Sequence, residues 1–263
     1  MDNYENIRFS IEDGLATITL NRPQSLNALS SGLKTDLLDA VRETAKPDSG
    51  ARALLITGEG RAFCAGADLA EGGLSKADRD LGKSLIDDYH PILLEIADLN
   101  MPVISAVNGV AAGAGMSIAI SADIVVAARS AYFLQAFVNI GLVPDAGSTF
   151  LLPRLVGVAR ARAMMMLGER IPAETALDWG LIYEVVDDDQ LVDHAKALGA
   201  KLAKGPTQAL NGIRQLVSQS LKNNYAEQLQ AEAKTQRLMG STSDSAEGVM
   251  AFIQKREAKF QGK

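Results

Sequence analysis

The stretch Val107–Ala119 reads VNGVAAGAGMSIA: three glycines, four alanines and no charged group in thirteen residues. It follows PVISAV (Pro102–Val107), an apolar run with the length and composition of a buried strand. Gly113-Ala114-Gly115 then opens a short helix through Ser117. Side chains this small let something approach the backbone closely. One reading is tight packing of the helix on a sheet. The other is a site for negative charge, because the first N–H groups of a helix have no internal partner and the helix dipole favours an anion beside them. This run alone leaves both open.

A second stretch of the same kind shifts the balance. Ala51–Thr57, ARALLIT, reads as a buried strand closed by Gly58, and GRAFCAGADL (Gly60–Leu69) then places Ala65-Gly66-Ala67 at a turn. Two small-residue turns after two strands of one sheet can aim two N–H groups at one point. That geometry is an oxyanion hole, which stabilises charge developing on a carbonyl oxygen. Neither turn carries a phosphate-loop lysine, which disfavours nucleotide hydrolysis. Asp68, taken alone, reads as a turn or helix-start residue.

Other chemistries find little support. Ser-His-Asp, HExxH and GxxxxGK[ST] patterns are absent. The two histidines, His90 and His194, sit in no recognisable partner motif, and the single cysteine, Cys64, reads as a small buried thiol. One cysteine forms neither an internal disulfide nor a cysteine-based metal cluster. An enzyme built from this chain uses carboxylates, backbone and hydroxyls.

The first half alternates strands and helices. Ile11–Leu20 reads as a strand stopped by Asn-Arg-Pro, and Ser30 or Ser31 can cap a helix with Leu33, Leu37, Leu38 and Val41 on one face. A polar segment rich in Gly and Asp leads to a helix through Ile92–Ala97, and Asp123–Ala128 is a further strand. The second half is mostly helical: Arg160–Leu167 ends at Gly168, Pro172 opens a helix that Gly180 ends, and Leu181–Val186 is a short strand. Three helices are expected after it, broken near Gly205-Pro206 and Gly240–Ser243, with Asp244-Ser-Ala-Glu247 as a capping box for the last. The pattern is an α/β chain with helices covering a sheet. At 263 residues, 47% of them hydrophobic, it can bury a sizeable core. Net charge is −6 with no basic block, so no nucleic-acid partner is expected. No apolar run reaches the roughly 18 residues of a membrane span. The polar start, MDNYENIRFS, resembles no export signal, so a cytoplasmic location is expected.

FCAGADL, PVISAVNGVAAGAG and NIGLVPDAGST resemble the crotonase (enoyl-CoA hydratase/isomerase) superfamily, and the likeness continues through LPRLVG, PAETALDWGLIYEVV and EGVMAFIQKREAKF. The resemblance implies a crotonase-like ββα spiral over residues 1–200 and a helical C-terminal trimerisation region over 201–263. It also implies a homotrimer or a hexamer of two trimers. The substrate it implies is an acyl-CoA thioester, with coenzyme A part of the substrate and no separate cofactor or metal. By the same resemblance, the N–H groups of Ala67 and Ala114 form the oxyanion hole. Ala65, Gly66, Asp68 and Leu69 lie along the CoA moiety, with Gly113 beside the hole. Phe252 and Lys255 reach a neighbouring subunit's CoA.

Hydratases of this family hold water with two glutamates. Ser117 stands at the first of those positions and Phe137, four residues before Gly141, at the second. Neither can do a carboxylate's work, so two-glutamate hydration is disfavoured, and both residues are assigned to lining the acyl pocket. Asp145, in Gly141-Leu-Val-Pro-Asp145-Ala-Gly147, remains. Outside this family the motif reads as an ordinary turn. Inside it, the resemblance implies a carboxylate facing the acyl chain, and a single carboxylate suits a proton shuttle. VNGVAAGAG, LVPDAGSTFLLPR, DWGLIYEVVDD and FQGK are most similar to a branch that opens a phenylacetyl-CoA ring epoxide to an oxepin and shifts Δ3 enoyl-CoA double bonds to Δ2. A hydratase with replaced glutamates, a nucleophilic Asp145 and a non-catalytic acyl-CoA-binding protein are the competing readings.

Overall fold

The computed structural model describes residues 4–71 and 80–263. Part of the Gly- and Asp-rich segment before the Ile92–Ala97 helix therefore lies outside the described residues. Ile7–Glu12 (β1) and Leu15–Leu20 (β2) form a hairpin, not the single strand expected over Ile11–Leu20. The reason is Asp13-Gly14: both residues take positive φ, 49° and 84°, as a two-residue hairpin turn requires.

After α1 (Ser31–Ala45), capped by the Ser30 hydroxyl, the chain winds in ββα turns. β3 (Ala53–Gly58) and β4 (Ala62–Cys64) precede α2 (Leu81–Ser84), a π-helical turn over Leu85–Tyr89, and α3 (His90–Asp98). β5 (Val103–Val107) and β6 (Val110–Ala112) precede α4 (Ala114–Ile120). β7 (Ile124–Ala128) and β8 (Tyr132–Leu134) precede a 3-10 turn over Ala136–Ile140, then α5 (Ser148–Leu155) and α6 (Gly157–Leu167). β9 (Arg170–Pro172), α7 (Ala173–Asp178), β10 (Glu184–Val186) and α8 (Leu191–Ala203) complete the core.

Each winding sends one strand to each of two sheets. The larger runs β1-β2-β3-β5-β7-β10, parallel from β2 onward; the smaller runs β4-β6-β8-β9, with only β8 and β9 antiparallel. β5 is buried along its whole length, and β3 up to its final glycine. Both faces of the larger sheet are covered, as parallel strands demand. α8 lies across β3, β5 and β7, and β4 packs on β3 and β5. This is the expected crotonase-like spiral, although strands as short as β4, β6 and β8 carry too little pattern to be read singly.

The C-terminal region differs from expectation in two places. Four helices follow β10: α8, then α9 (Thr207–Ser220), α10 (Tyr225–Met239) and α11 (Ser243–Gln254). The unexpected break precedes Asn224, which with Glu227 makes the capping box. Thr242 caps α11 instead of Asp244, whose carboxylate accepts from the Gln261 and Gly262 N–H groups at 2.6 and 2.8 Å. The main apolar core runs from Ile7 to Ala203.

Gly115 shows how tightly the layers meet. A Cβ there would lie 2.4 Å from the Cys64 carbonyl oxygen and 2.7 Å from its Sγ. Gly115→Ala is therefore expected to destabilise the fold by about 1–3 kcal/mol through overpacking, read as a lower urea midpoint. An unchanged midpoint would show that β4 and α4 can separate freely.

Candidate active site

The first turn is built by pairing. Ala65–Asp68 runs beside Leu26–Leu29, with Ala65 N–H donating to the Leu26 carbonyl at 3.0 Å, Leu29 N–H to that of Gly66 at 2.8 Å, and Asp68 N–H to that of Leu29 at 3.3 Å. Ala67 is the centre of a parallel bridge with Leu29. In such a bridge the flanking groups bond to the partner, so the N–H of Ala67 turns to the opposite side. Arg22 anchors the turn, donating to the Asp68 carboxylate and the Ala28 carbonyl at 2.8 Å each. That hydrogen bond holds the Asp68 carboxyl below its ordinary range. Asp68 is thus part of the scaffold and does not line the cavity described next.

The second turn comes to meet the first. Ala114 is the first residue of α4, and its N–H has no acceptor within the helix. Gly113 before it takes φ 52° and ψ −129°, and its own N–H donates to the Leu134 carbonyl at 2.8 Å. At Gly66, with φ 92°, a Cβ would sit 2.9 Å from the Ala112 carbonyl oxygen and 3.6 Å from the Ala114 nitrogen. The two turns touch backbone to backbone, which only glycine at 66 permits. Gly115 serves packing, the first of the two readings of the small-residue run, and Gly113-Ala114 faces a cavity.

That cavity, of about 240 Å³, is lined by Ala65, Gly66, Ala67 and Leu69 of the first turn and by Gly113 and Ala114 of the second. Of the other expected residues, Phe137 and Asp145 also line it, and the Phe137 ring lies 3.6 Å from where a Gly113 Cβ would project. Leu85 and Tyr89 from the π-helical turn line it too, as do Ser84, Ile140 and Leu142. The sequence reading passed over this wall. Its signal was present in Leu85 and Tyr89, four apart and so on one helix face.

Asp145 is the only carboxylate among the described residues lining the cavity. Its Oδ1 is buried with no hydrogen-bond partner among them. Burial pushes the carboxyl up to about 6, and the charge of His90, at the start of α3, opposes part of that rise.

Other expected residues lie elsewhere. Ser117 is wholly buried and does not line the cavity; its hydroxyl reaches the Gly113 and Asp145 carbonyl oxygens at 3.4 and 3.3 Å. Phe252 and Lys255, at the end of α11, also stand outside the cavity of their own chain, and Phe252 is 86% exposed. Burial raises the Cys64 thiol to about 12, which leaves it unreactive. His194 pairs with Glu184 at 2.9 Å, away from the site.

Comparison with known proteins agrees with this architecture. The sequence profile of the Enoyl-CoA hydratase/isomerase family matches residues 10–263. The chain is 44% identical to the 1,2-epoxyphenylacetyl-CoA isomerase of Escherichia coli K12, over 98% of this chain and 99% of that one. It is also 44% identical to a Rhodobacter capsulatus protein named "Probable enoyl-CoA hydratase", over 99% and 100%. A crystal structure from Mycobacterium abscessus, assigned by name to the enoyl-CoA hydratase/isomerases, superposes with a TM-score of 0.94 at 36% identity, covering 98% of this chain and 100% of that one.

The raised carboxyl has a measurable consequence. Ionising Asp145 opposes folding, so this cost is absent below the ordinary carboxylate range and fully present above pH about 6. Asp145→Asn is expected to melt higher than wild type above that pH, with the gap closing on acidification. Equal melting temperatures across the range would show that the carboxyl is solvated.

Proposed function

The chain belongs to the enoyl-CoA hydratase/isomerase family, and within it we propose that it is an acyl-CoA isomerase in which Asp145 carries the proton. One observation supports this above the others: among the described residues, one half-buried carboxylate, its Oδ1 without a hydrogen-bond partner, shares the cavity with two backbone turns. In the proposed reaction, the thioester oxygen sits between the N–H groups of Ala67 and Ala114. Asp145, ionised, takes the C2 proton of a Δ3 enoyl-CoA. The electron pair moves to the thioester oxygen as a dienolate, which the two donors hold. The protonated carboxyl then delivers its proton to C4, leaving a C2=C3 double bond and the restored carbonyl. A carboxyl near 6 suits both halves, because it is ionised enough to accept and acidic enough to return the proton.

The name of the Escherichia coli relative supports a second substrate class, the ring epoxide of a phenylacetyl-CoA. The name of the Rhodobacter capsulatus relative supports a different reaction, hydration of an enoyl-CoA. Hydration here would have to hold its water with one carboxylate, since Ser117 and Phe137 supply none. Crotonyl-CoA, assayed beside Δ3-enoyl and ring-epoxide thioesters, separates the three.

The proposal includes a homotrimer or a pair of trimers in the cytoplasm, with Phe252 and Lys255 reaching a neighbour's CoA and Asp68 and Leu69 beside the chain's own. Large apolar side chains left open support an assembly: Val143 is 80% and Phe252 86% exposed. Light scattering is expected to give a trimer or hexamer at micromolar concentration; a stable monomer would refute this part.

Asp145→Asn keeps the size of the side chain but cannot exchange the proton. Isomerase turnover is expected to fall by roughly 10²–10⁴, with thioester binding little changed. Ala114→Pro removes one N–H donor, and a folded variant is expected to lose about 10²–10³ in rate. Full isomerase activity in folded Asp145→Asn would remove the aspartate from the mechanism.

A further inference from the structure

Two buried serines meet at one carbonyl. Ser117 on α4 and Ser148 at the start of α5 are both fully buried. The Ser148 hydroxyl donates to the Asp145 carbonyl oxygen at 2.8 Å, and the Ser148 N–H donates to the same oxygen at 3.0 Å. The Ser117 hydroxyl lies 3.3 Å from that oxygen and 3.4 Å from the Gly113 carbonyl oxygen. A hydroxyl has one proton to donate, so Ser117 divides it between the turn that carries Asp145 and the turn that carries Ala114.

What these donors hold is a strained turn. Ala146 and Gly147 take φ of 49° and 81°, and Ala146 is buried. An alanine in the left-handed region is unfavourable, and it persists only where its surroundings over-determine it. The conformation keeps the Asp145 side chain in the cavity wall while its carbonyl points back at the two serines.

We propose that Ser117 and Ser148 are positioning residues that clamp the Asp145 turn, Ser117 also fixing its distance from the oxyanion turn at Gly113-Ala114. The inference rests on Asp145 as the proton carrier. A carboxyl that serves two carbons of one acyl chain must reach both while the thioester oxygen stays in place. A misplacement of about 1 Å can cost roughly 10² in rate. Fixing two backbone turns to each other through a buried hydroxyl meets that demand, and the serine's loss of a carboxylate becomes a gain in geometry. Among the described residues, the charge that reaches the Asp145 carboxyl is that of His90, and Tyr89 is the other titratable side chain lining the cavity.

The test compares Ser117→Ala, Ser148→Ala and the double variant with wild type and Asp145→Asn. It reads kcat and KM with a Δ3-enoyl-CoA, and the titration of Asp145 by carbon-13 NMR. Each single variant is expected to lose roughly 2- to 10-fold in kcat, the worth of one hydrogen bond, with the double variant losing more and KM little changed. Asp145 is expected to titrate below the wild-type value of about 6, because a loosened turn lets water reach the carboxyl. If the double variant does not fold, the single variants carry the same comparison. Folded variants with wild-type kcat and an unmoved Asp145 titration would overturn the clamp. The titration needs no turnover, so it reads the clamp even if Asp145→Asn stays active, an outcome that would overturn the proton-carrier reading instead.

Discussion

The site depends on one close approach: backbone against backbone where Gly66 meets Ala112–Ala114. Nothing larger than hydrogen fits on the Gly66 Cα, so the turns after β4 and β6 bring their main chains together. Two strands of the smaller sheet deliver those turns, and β3 and β5 of the larger sheet set the spacing beneath them. The whole spiral can be seen as the means of holding two peptide groups side by side at the rim of a cavity. That also explains why the neighbourhood is built from Gly and Ala: side chains would separate the two turns that the proposed reaction needs adjacent.

Over those turns stands a half-buried carboxylate whose Oδ1 has no hydrogen-bond partner among the described residues. Its burial and the left-handed Ala146 beside it carry an energetic cost that the scaffold must offset, in part through the serines that bond the turn. An aspartate placed for stability would have partners; Asp68, bonded to Arg22 and to the Ala70 and Glu71 N–H groups, is the contrast within the same chain. The two aspartates are shifted in opposite directions for opposite reasons, Asp68 downward by its guanidinium partner and Asp145 upward by desolvation. A carboxyl shifted in this way, in a cavity rimmed by two backbone turns, is what the proposed proton shuttle requires.

Much of this was legible in the sequence. Buried strands announced themselves as apolar runs at β3, β5 and β7, and the glycine-alanine turns after them could be placed before any coordinates. Family motifs supplied the spiral and singled out Asp145. The missing parts have different causes, shortness of pattern for some and contacts distant in sequence for others. β4, β6 and β8 are three residues each, too short for a period to show. The Asp13-Gly14 hairpin turn and the Asn224 capping box were readable but overlooked. Ser117 could be seen to be no carboxylate, yet its place behind the wall depends on a residue 28 positions away. The spacing of Leu85 and Tyr89 marks a helix face, but that this face walls the cavity depends on the packing of the π-helical turn.

The proposed reaction turns on whether one carboxylate both removes and returns the proton. A Δ3-enoyl-CoA carrying deuterium at C2, turned over in ordinary water above pH about 6, tests this directly by mass analysis of the first product formed. Transfer by Asp145 alone predicts that a measurable fraction of the Δ2 product carries the label at C4, diminishing as slower substrates allow exchange with solvent. Product bearing only solvent hydrogen at C4, however fast the turnover, would contradict a single-carboxylate shuttle.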